Sequence, residues 1–179
     1  MEITNGNLII RNAAAADVAQ LGAWWRDGKV MAHAGFPDGL SITDNEIAKD
    51  LAAGSDETGR VLIIEADSLP IGEMNYRNIG DLTAEIGIKI CDATLQEKGY
   101  GSKLIRMLIE ELFCNGGYER ITLDTNLDNE RAQHVYERIG FRKVGIRYDC
   151  WKNQRGELQS AVDYELNRDA YFRVCVKTS

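Results

Sequence analysis

The sequence predicts a mixed α/β domain in which helices and strands pack as layers. Its apolar residues switch between a spacing of two and a helical spacing, in the order one strand, two helices, three strands, helix, strand, helix, two strands. Near the middle, an apolar strand feeds a glycine-bearing loop into an amphipathic helix, over the stretch from Ile86 to Ile105. No internal repeat, low-complexity run or linker interrupts the 179 residues, so one domain over residues 1–179 is expected.

Residues 7–11 read as the first strand and residues 13–28 as a helix with Leu21, Trp24 and Trp25 near one face. The two tryptophans are read as core or groove wall, with core favoured by the area each buries. A loop with Gly35, Pro37, Asp38 and Gly39 covers residues 31–41. Thr43 and Glu46 form a capping-box pattern that opens a helix ending at Gly54. Residues 60–66 and 69–78 form a hairpin about Asp67 and Ser68, and the second arm contains Gly72 and Glu73.

Residues 82–91 are the next strand, with Leu82, Ala84, Ile86, Ile88 and Ile90 on one face and Thr83, Glu85, Gly87, Lys89 and Cys91 on the other. The helix over residues 99–115 places Leu104, Ile105, Leu108, Ile109, Leu112 and Phe113 on its apolar side. Residues 118–127 are a strand with Ile121, Leu123 and Thr125 facing one way and Thr122, Asp124 and Asn126 the other. Asp128 reads as the cap of a helix over residues 129–139, closed by Gly140. Residues 141–149 and 160–166 are the last strands, joined by a polar loop over residues 152–158.

A formal net charge of −7, from 28 acidic and 21 basic residues, disfavours nucleic acid as the main partner, because a phosphate backbone demands a basic footprint. It weakly suits a cationic ligand through long-range steering. The cysteines, Cys91, Cys114, Cys150 and Cys175, are scattered, and with only His33 and His134 besides, no metal site is expected. The first residues lack a basic stretch followed by an apolar one, and no segment approaches the ~20 apolar residues of a membrane helix. A cytoplasmic location without membrane partners is expected, in keeping with unpaired cysteines.

The glycine loop points several backbone N–H groups at one spot, where the helix dipole adds partial positive charge, so it suits a phosphate or pyrophosphate. A dinucleotide fingerprint would need a third glycine, but Gly99-Tyr100-Gly101 is followed by Ser102, Lys103 and Leu104. The P-loop spacing does not occur either. Gln96-Glu97-Lys98-Gly99-Tyr100-Gly101 instead resembles the (Gln/Arg)-x-x-Gly-x-(Gly/Ala) motif of the GNAT superfamily of acyl-coenzyme A N-acyltransferases. A second stretch, with Asn129, Ala132, Tyr136, Glu137, Gly140 and Phe141, resembles that family's other coenzyme A segment, in the matching order and distance. The alternative for both motifs is plain helix capping and core packing.

The resemblance implies the GNAT fold: a mixed, mostly antiparallel sheet of about six or seven strands, helices on both faces, and the fourth and fifth strands splayed. It implies acetyl-CoA as cosubstrate and no metal. The pyrophosphate would lie on the backbone amides of Lys98, Gly99, Tyr100, Gly101 and Ser102, in the loop begun by Gln96 and Glu97. Pantetheine would pair with the backbone of Ile88, Lys89, Ile90 and Cys91 and touch Asn129, Ala132 and Tyr136. A homodimer is a further implication of the family alone.

An amine acceptor arrives protonated, and freeing its lone pair at neutral pH costs about 4 kcal/mol. A base, or a water chain leading to one, is therefore sought. Glu85, on the open strand face beside Gly87, is the first candidate and Asp124 the second. A backbone N–H near Lys89 or Ile90 would hold the oxyanion, and Tyr136 would protonate, or hydrogen-bond to, the leaving thiolate. The stretch from Ile121 to Asn129 resembles the aminoglycoside 6′-N-acetyltransferases, which implies a catalytic role for Asp124. Ribosomal-protein N-terminal acetyltransferases are the other similar group, so the acceptor is either a protein N-terminus or a small cationic amine. The alternative from a different class is a non-catalytic acetyl-CoA-binding module.

Overall fold

The computed structural model describes residues 1–95 and 99–177, with residues 174–177 given by their backbone alone. The chain opens with a hairpin of β1 (Glu2–Asn5) and β2 (Leu8–Asn12), turned at Gly6 with φ 64°. The sequence reading found only the second arm. The Asn5-Gly6 pair, a strong hairpin signal, marks the first. The region read as one helix over residues 13–28 is a short 3₁₀ turn (Ala15–Asp17), α1 (Val18–Trp25) and α2 (Gly28–Met31). Asp27 causes the break. Its backbone is extended, with ψ 111°, and its carboxylate caps α2 by accepting from Lys29 N. The capping box at Thr43 and Glu46 forms as read and opens α3 (Asp44–Ala53).

The hairpin of β3 (Gly59–Ala66) and β4 (Leu69–Asn78) turns through Asp67 and Ser68, both with positive φ, which matches the twist of the arms. Then follow β5 (Thr83–Ile90), α4 (Tyr100–Cys114), β6 (Arg120–Asn126), α5 (Glu130–Ile139), β7 (Arg142–Lys152), β8 (Leu158–Asn167) and α6 (Arg168–Lys177). Leu82, read as part of the core face of β5, stands 61% exposed in the preceding turn. Helix α6, which the sequence reading lacked, starts directly from the end of β8.

The strands form one sheet of eight in the order β1-β2-β3-β4-β5-β6-β8-β7. All neighbours are antiparallel except β5 and β6, which run parallel because α4 is their crossover. Helices cover both faces. On one, α4 buries Leu104, Ile105, Met107, Leu108, Ile109, Leu112 and Phe113 against Leu62, Ile64, Met74, Ile86 and Ile121 of the sheet, with Tyr136 and Ile139 of α5 and Tyr171 of α6 beside them. On the other, Leu21 of α1 and Ile47 of α3 pack on Ile63, flanked by Trp24 and Trp25. Trp25 is thus part of a wall over β3 and β4 rather than of the main core. No helix of the described residues is long and apolar enough to cross a membrane.

One ion pair locks α1 to the sheet. Asp17, 7% exposed, takes both arms of Arg11 on β2 at 2.8 Å and also accepts from Ala14 N. The Arg11 guanidinium holds the Asp17 carboxyl below its ordinary value of 3.8. A carboxyl held low in the folded state stabilises above its ordinary pKa and loses that contribution as pH falls through the lower folded value. Asp17→Asn is expected to cost about 2 kcal/mol in urea unfolding at neutral pH. The difference from wild type should shrink as pH falls below the ordinary 3.8, and a pH-independent gap would contradict the assignment.

Candidate active site

Strands β5 and β6 pair only at Thr83–Arg120, Ala84–Ile121 and Glu85–Thr122. Beyond that vertex β5 stays bonded to β4 as far as Ile90, while β6 stays bonded to β8 as far as Asn126. The two strands therefore part into a wedge, the splay that the sequence led one to expect. Ile88, Lys89, Ile90 and Cys91 line its β5 side. Cys91 N–H turns away, towards Ile71 O on β4 at 2.9 Å. By the alternation of an antiparallel ladder Lys89 N–H also faces β4, which leaves the backbone of Ile86 and Ile88 turned to the wedge.

The wide end of the wedge meets the start of α4. Gly99 takes φ 80° and serves as N-cap without a side-chain bond, and the first N–H groups of the helix, at Tyr100, Gly101 and Ser102, have no partner among the described residues. A Cβ built on Gly99 or Gly101 would meet nothing within 4 Å, so an anion can approach the helix end closely. This end suits a pyrophosphate by shape and by dipole. Gln96, Glu97 and Lys98 lie outside the described residues.

On the β6 side, α5 presents Asn129, Ala132 and Tyr136. Asn129, not Asp128, is the N-cap: its Oδ1 accepts from Ala132 N at 3.2 Å, leaving its amide NH₂ for other partners. The Tyr136 ring is buried edge-on between Phe141 and Tyr164, with centroids at 6.0 and 5.7 Å. Burial, helped by the charge of Asp124, pushes the phenol up to about 12. Its hydroxyl has no hydrogen-bond partner among the described residues, and it is not one of the fully buried orphan atoms, which are Asn12 Oδ1 and Thr122 Oγ1.

The two candidate bases differ in position. Glu85 stands at the vertex, half exposed and paired with Arg77 at 2.6 Å. It borders an open cleft of about 350 Å³ shared with Asp50, Thr58, Arg60 and Asn75. Asp124 lies two residues beyond the vertex, level with Gly87 across the wedge. The Asn75 side chain covers Gly87, where a Cβ would come within 3.0 Å of it. Asp124 is directly opposite Asp163 on β8, and Arg147 bridges both carboxylates at 2.7 Å. The structure thus brings Asp124 and Tyr136 to the wedge and leaves Glu85 one step behind them.

Glu73, placed by the sequence only within the second hairpin arm, is a buried pairing centre. It is 4% exposed, opposite Lys89 in register, and accepts from Lys89 Nζ at 2.6 Å and Trp25 Nε1 at 2.7 Å. A glutamate between Ile71 and Met74, on a stretch that is otherwise apolar for only a few residues, is its one signal in the sequence. Cys91, beside this pair, has its thiol pushed up to about 12, chiefly by burial and then by the Glu73 charge. Among the described residues no group of three or more His, Cys, Asp or Glu side chains could hold a metal.

The acetyltransferase (GNAT) domain model matches residues 7–142. An uncharacterised N-acetyltransferase of Bacillus subtilis, YnaD, is 26% identical over 84% of this chain and 88% of its own. Among solved structures, the spermidine N-acetyltransferase from Vibrio cholerae in complex with CoA and spermine superposes with a TM-score of 0.84 at 21% identity, covering 94% of this chain and 99% of that one. The ribosomal L7/L12 acetyltransferase RimL in complex with coenzyme A gives 0.81 at 18%, over 95% and 99%. These two show a shared fold. With two thirds and more of its length inside the domain match, the chain belongs to the GNAT acetyltransferase family and is an acyltransferase of that family.

Proposed function

We propose that this chain transfers the acetyl group of acetyl-CoA to a primary amine by direct attack, with both substrates bound at once. The wedge between β5 and β6, which runs into the open N-terminus of α4, carries this reading. The family supports the cosubstrate, and so does the coenzyme A in the two structural neighbours. The first amides of α4 at Gly99, Tyr100, Gly101 and Ser102 hold the pyrophosphate. The wedge-facing backbone of β5, with Asn129 and Ala132 opposite, holds the pantetheine arm. Acetyl-CoA supplies an activated acyl thioester.

The amine nitrogen forms the new C–N bond at the thioester carbon and the C–S bond breaks. Ile88 N–H, turned to the wedge, lies where it can donate to the oxyanion. Tyr136 gives its proton to the leaving thiolate. A phenol held near 12 keeps that proton throughout the neutral range. The proton lost by nitrogen passes to Asp124, level with Gly87, or through water to Glu85. Glu85 is four residues from Lys89 along β5, about 13 Å, too far for direct transfer. Cys91 takes no covalent part: a thiol pushed up to about 12 is a poor nucleophile at neutral pH.

The acceptor is a protein N-terminus or a small cationic amine. RimL is named for the first and the spermidine enzyme for the second. The carboxylates of Glu85, Asp124 and Asp163 on the open face support a cation.

Thiol release from acetyl-CoA with a panel of primary amines tests the reading. Coenzyme A binding without turnover on any amine would leave a binding module instead. Tyr136→Phe is expected to lower kcat about a hundredfold and to change the KM for acetyl-CoA less than about twofold. An unchanged kcat removes Tyr136 from the mechanism. Gly101→Glu places a negative side chain into open space at the helix end. It should weaken coenzyme A binding at least about tenfold by calorimetry while the melting temperature holds. Unaltered binding would move the pyrophosphate elsewhere.

A further inference from the structure

Two small neighbours clear a path for Arg147 on β7. It stands opposite Ala161 of β8, and Gly145, two residues earlier on the same face, stands opposite Asp163. The register between β7 and β8 shifts on both sides of this segment, after Lys143 and after Arg147. Such irregularities re-aim a side chain. The guanidinium reaches diagonally across β8 to β6. Its Nε donates to both oxygens of Asp163, at 3.1 and 2.8 Å, and Nη2 donates to Asp163 Oδ1 at 2.7 Å. Nη2 also donates to Asp124 Oδ2 at 2.7 Å. Asp163 is thus gripped by both oxygens and Asp124 by one. Asp124 Oδ1 has no hydrogen-bond partner among the described residues.

By itself the Asp124 carboxylate would not keep this pose. Its cross-strand neighbour is Asp163, and like charges directly opposite push apart. The terminal torsion of an aspartate is also broad, so nothing local fixes which oxygen faces the wedge. Arg147 answers both problems with one group. These ion pairs are partly to half exposed and add little to stability, so their effect lies in orientation. We propose that Arg147 is the positioning residue of the base: anchored on Asp163, it holds Asp124 by Oδ2 and leaves Oδ1 to take the proton of the amine. As nitrogen bonds to the thioester carbon, one N–H bond breaks, its electron pair stays on nitrogen, and the proton goes to Oδ1. That proton passes to water once the amide has formed.

The inference rests on the transfer reading above. Its test measures kcat and the KM for acetyl-CoA in wild type, Asp124→Asn, Arg147→Ala, Asp163→Ala and Arg147→Ala/Asp163→Ala. The acceptors are spermidine, kanamycin and a peptide with a free N-terminus. Asp124→Asn should lower kcat at least about a hundredfold. Arg147→Ala should lower it at least about tenfold and move the KM for acetyl-CoA less than about twofold. Added guanidinium, at concentrations that leave wild type unchanged, should raise kcat of Arg147→Ala at least about threefold and do nothing for Asp124→Asn. Asp163→Ala should cost less than Arg147→Ala. The double variant should be no slower than Arg147→Ala alone, because Asp163 acts through Arg147. A loss in Arg147→Ala that guanidinium does not restore, or losses that multiply in the double variant, overturn the positioning role. Wild-type kcat in Arg147→Ala or Asp124→Asn overturns it too and leaves the transfer reading standing. A wild type silent on all three amines overturns the transfer reading beneath it.

Discussion

The parallel pairing of β5 and β6 ends at Glu85 and Thr122, and the rest of the molecule is arranged around that ending. Neither strand is frayed. Each continues because its other neighbour holds it, β4 in one case and β8 in the other. A wedge lined by backbone would ordinarily be costly, since main-chain polar groups need partners. It is maintained here because the antiparallel ladders outside it are long, and because α4, the crossover, spreads its apolar face beneath both strands. The same crossover delivers the helix N-terminus to the wide end of the wedge. One topological feature thus supplies the slot for an extended arm and the positive end that suits its phosphates.

Charge on the open face is organised by register. Asp124 and Asp163 are direct cross-strand neighbours, an arrangement of like charges that opposes pairing. Arg147 resolves it by reaching both carboxylates. Glu85 and Arg77 face each other one row behind, and Glu73 and Lys89 one row ahead. The wedge is thereby flanked by carboxylates that are each held by a cation. Glu73 differs from the others because it is buried. With both oxygens engaged, it ties the indole of α1 to Lys89 on β5.

Much of this was legible in the chain. The strand-loop-helix at Gly99 and Gly101, the apolar rows of α4, the capping box at Thr43 and the hairpin about Asp67 and Ser68 are local patterns, and local sterics and hydrogen bonds decide them. Tyr136 with Asn129 could be placed on one helix face by spacing alone, and the missing third glycine ruled against a dinucleotide. Misread elements also have local causes. Asp27 ends α1 by capping the next helix, and Asn129 rather than Asp128 caps α5. Periodicity cannot see a cap competing with its neighbour.

What the sequence could not contain is which strands become neighbours. Glu73 reads as an ordinary polar position until β4 and β5 pair and bring Lys89 opposite it. Glu85 and Asp124 looked equivalent on their strand faces, and only the register at the vertex sets one behind the other. Gln154 and Gly35 are more than a hundred residues apart, with no motif in either loop, yet the sheet order brings them together. The sequence by itself determined most of the elements and the motifs that mark the family, because those depend on contacts within a few residues. The tertiary structure decided the wedge and the ion pairs around it, because these are built from residues brought together by pairing and packing across the whole chain.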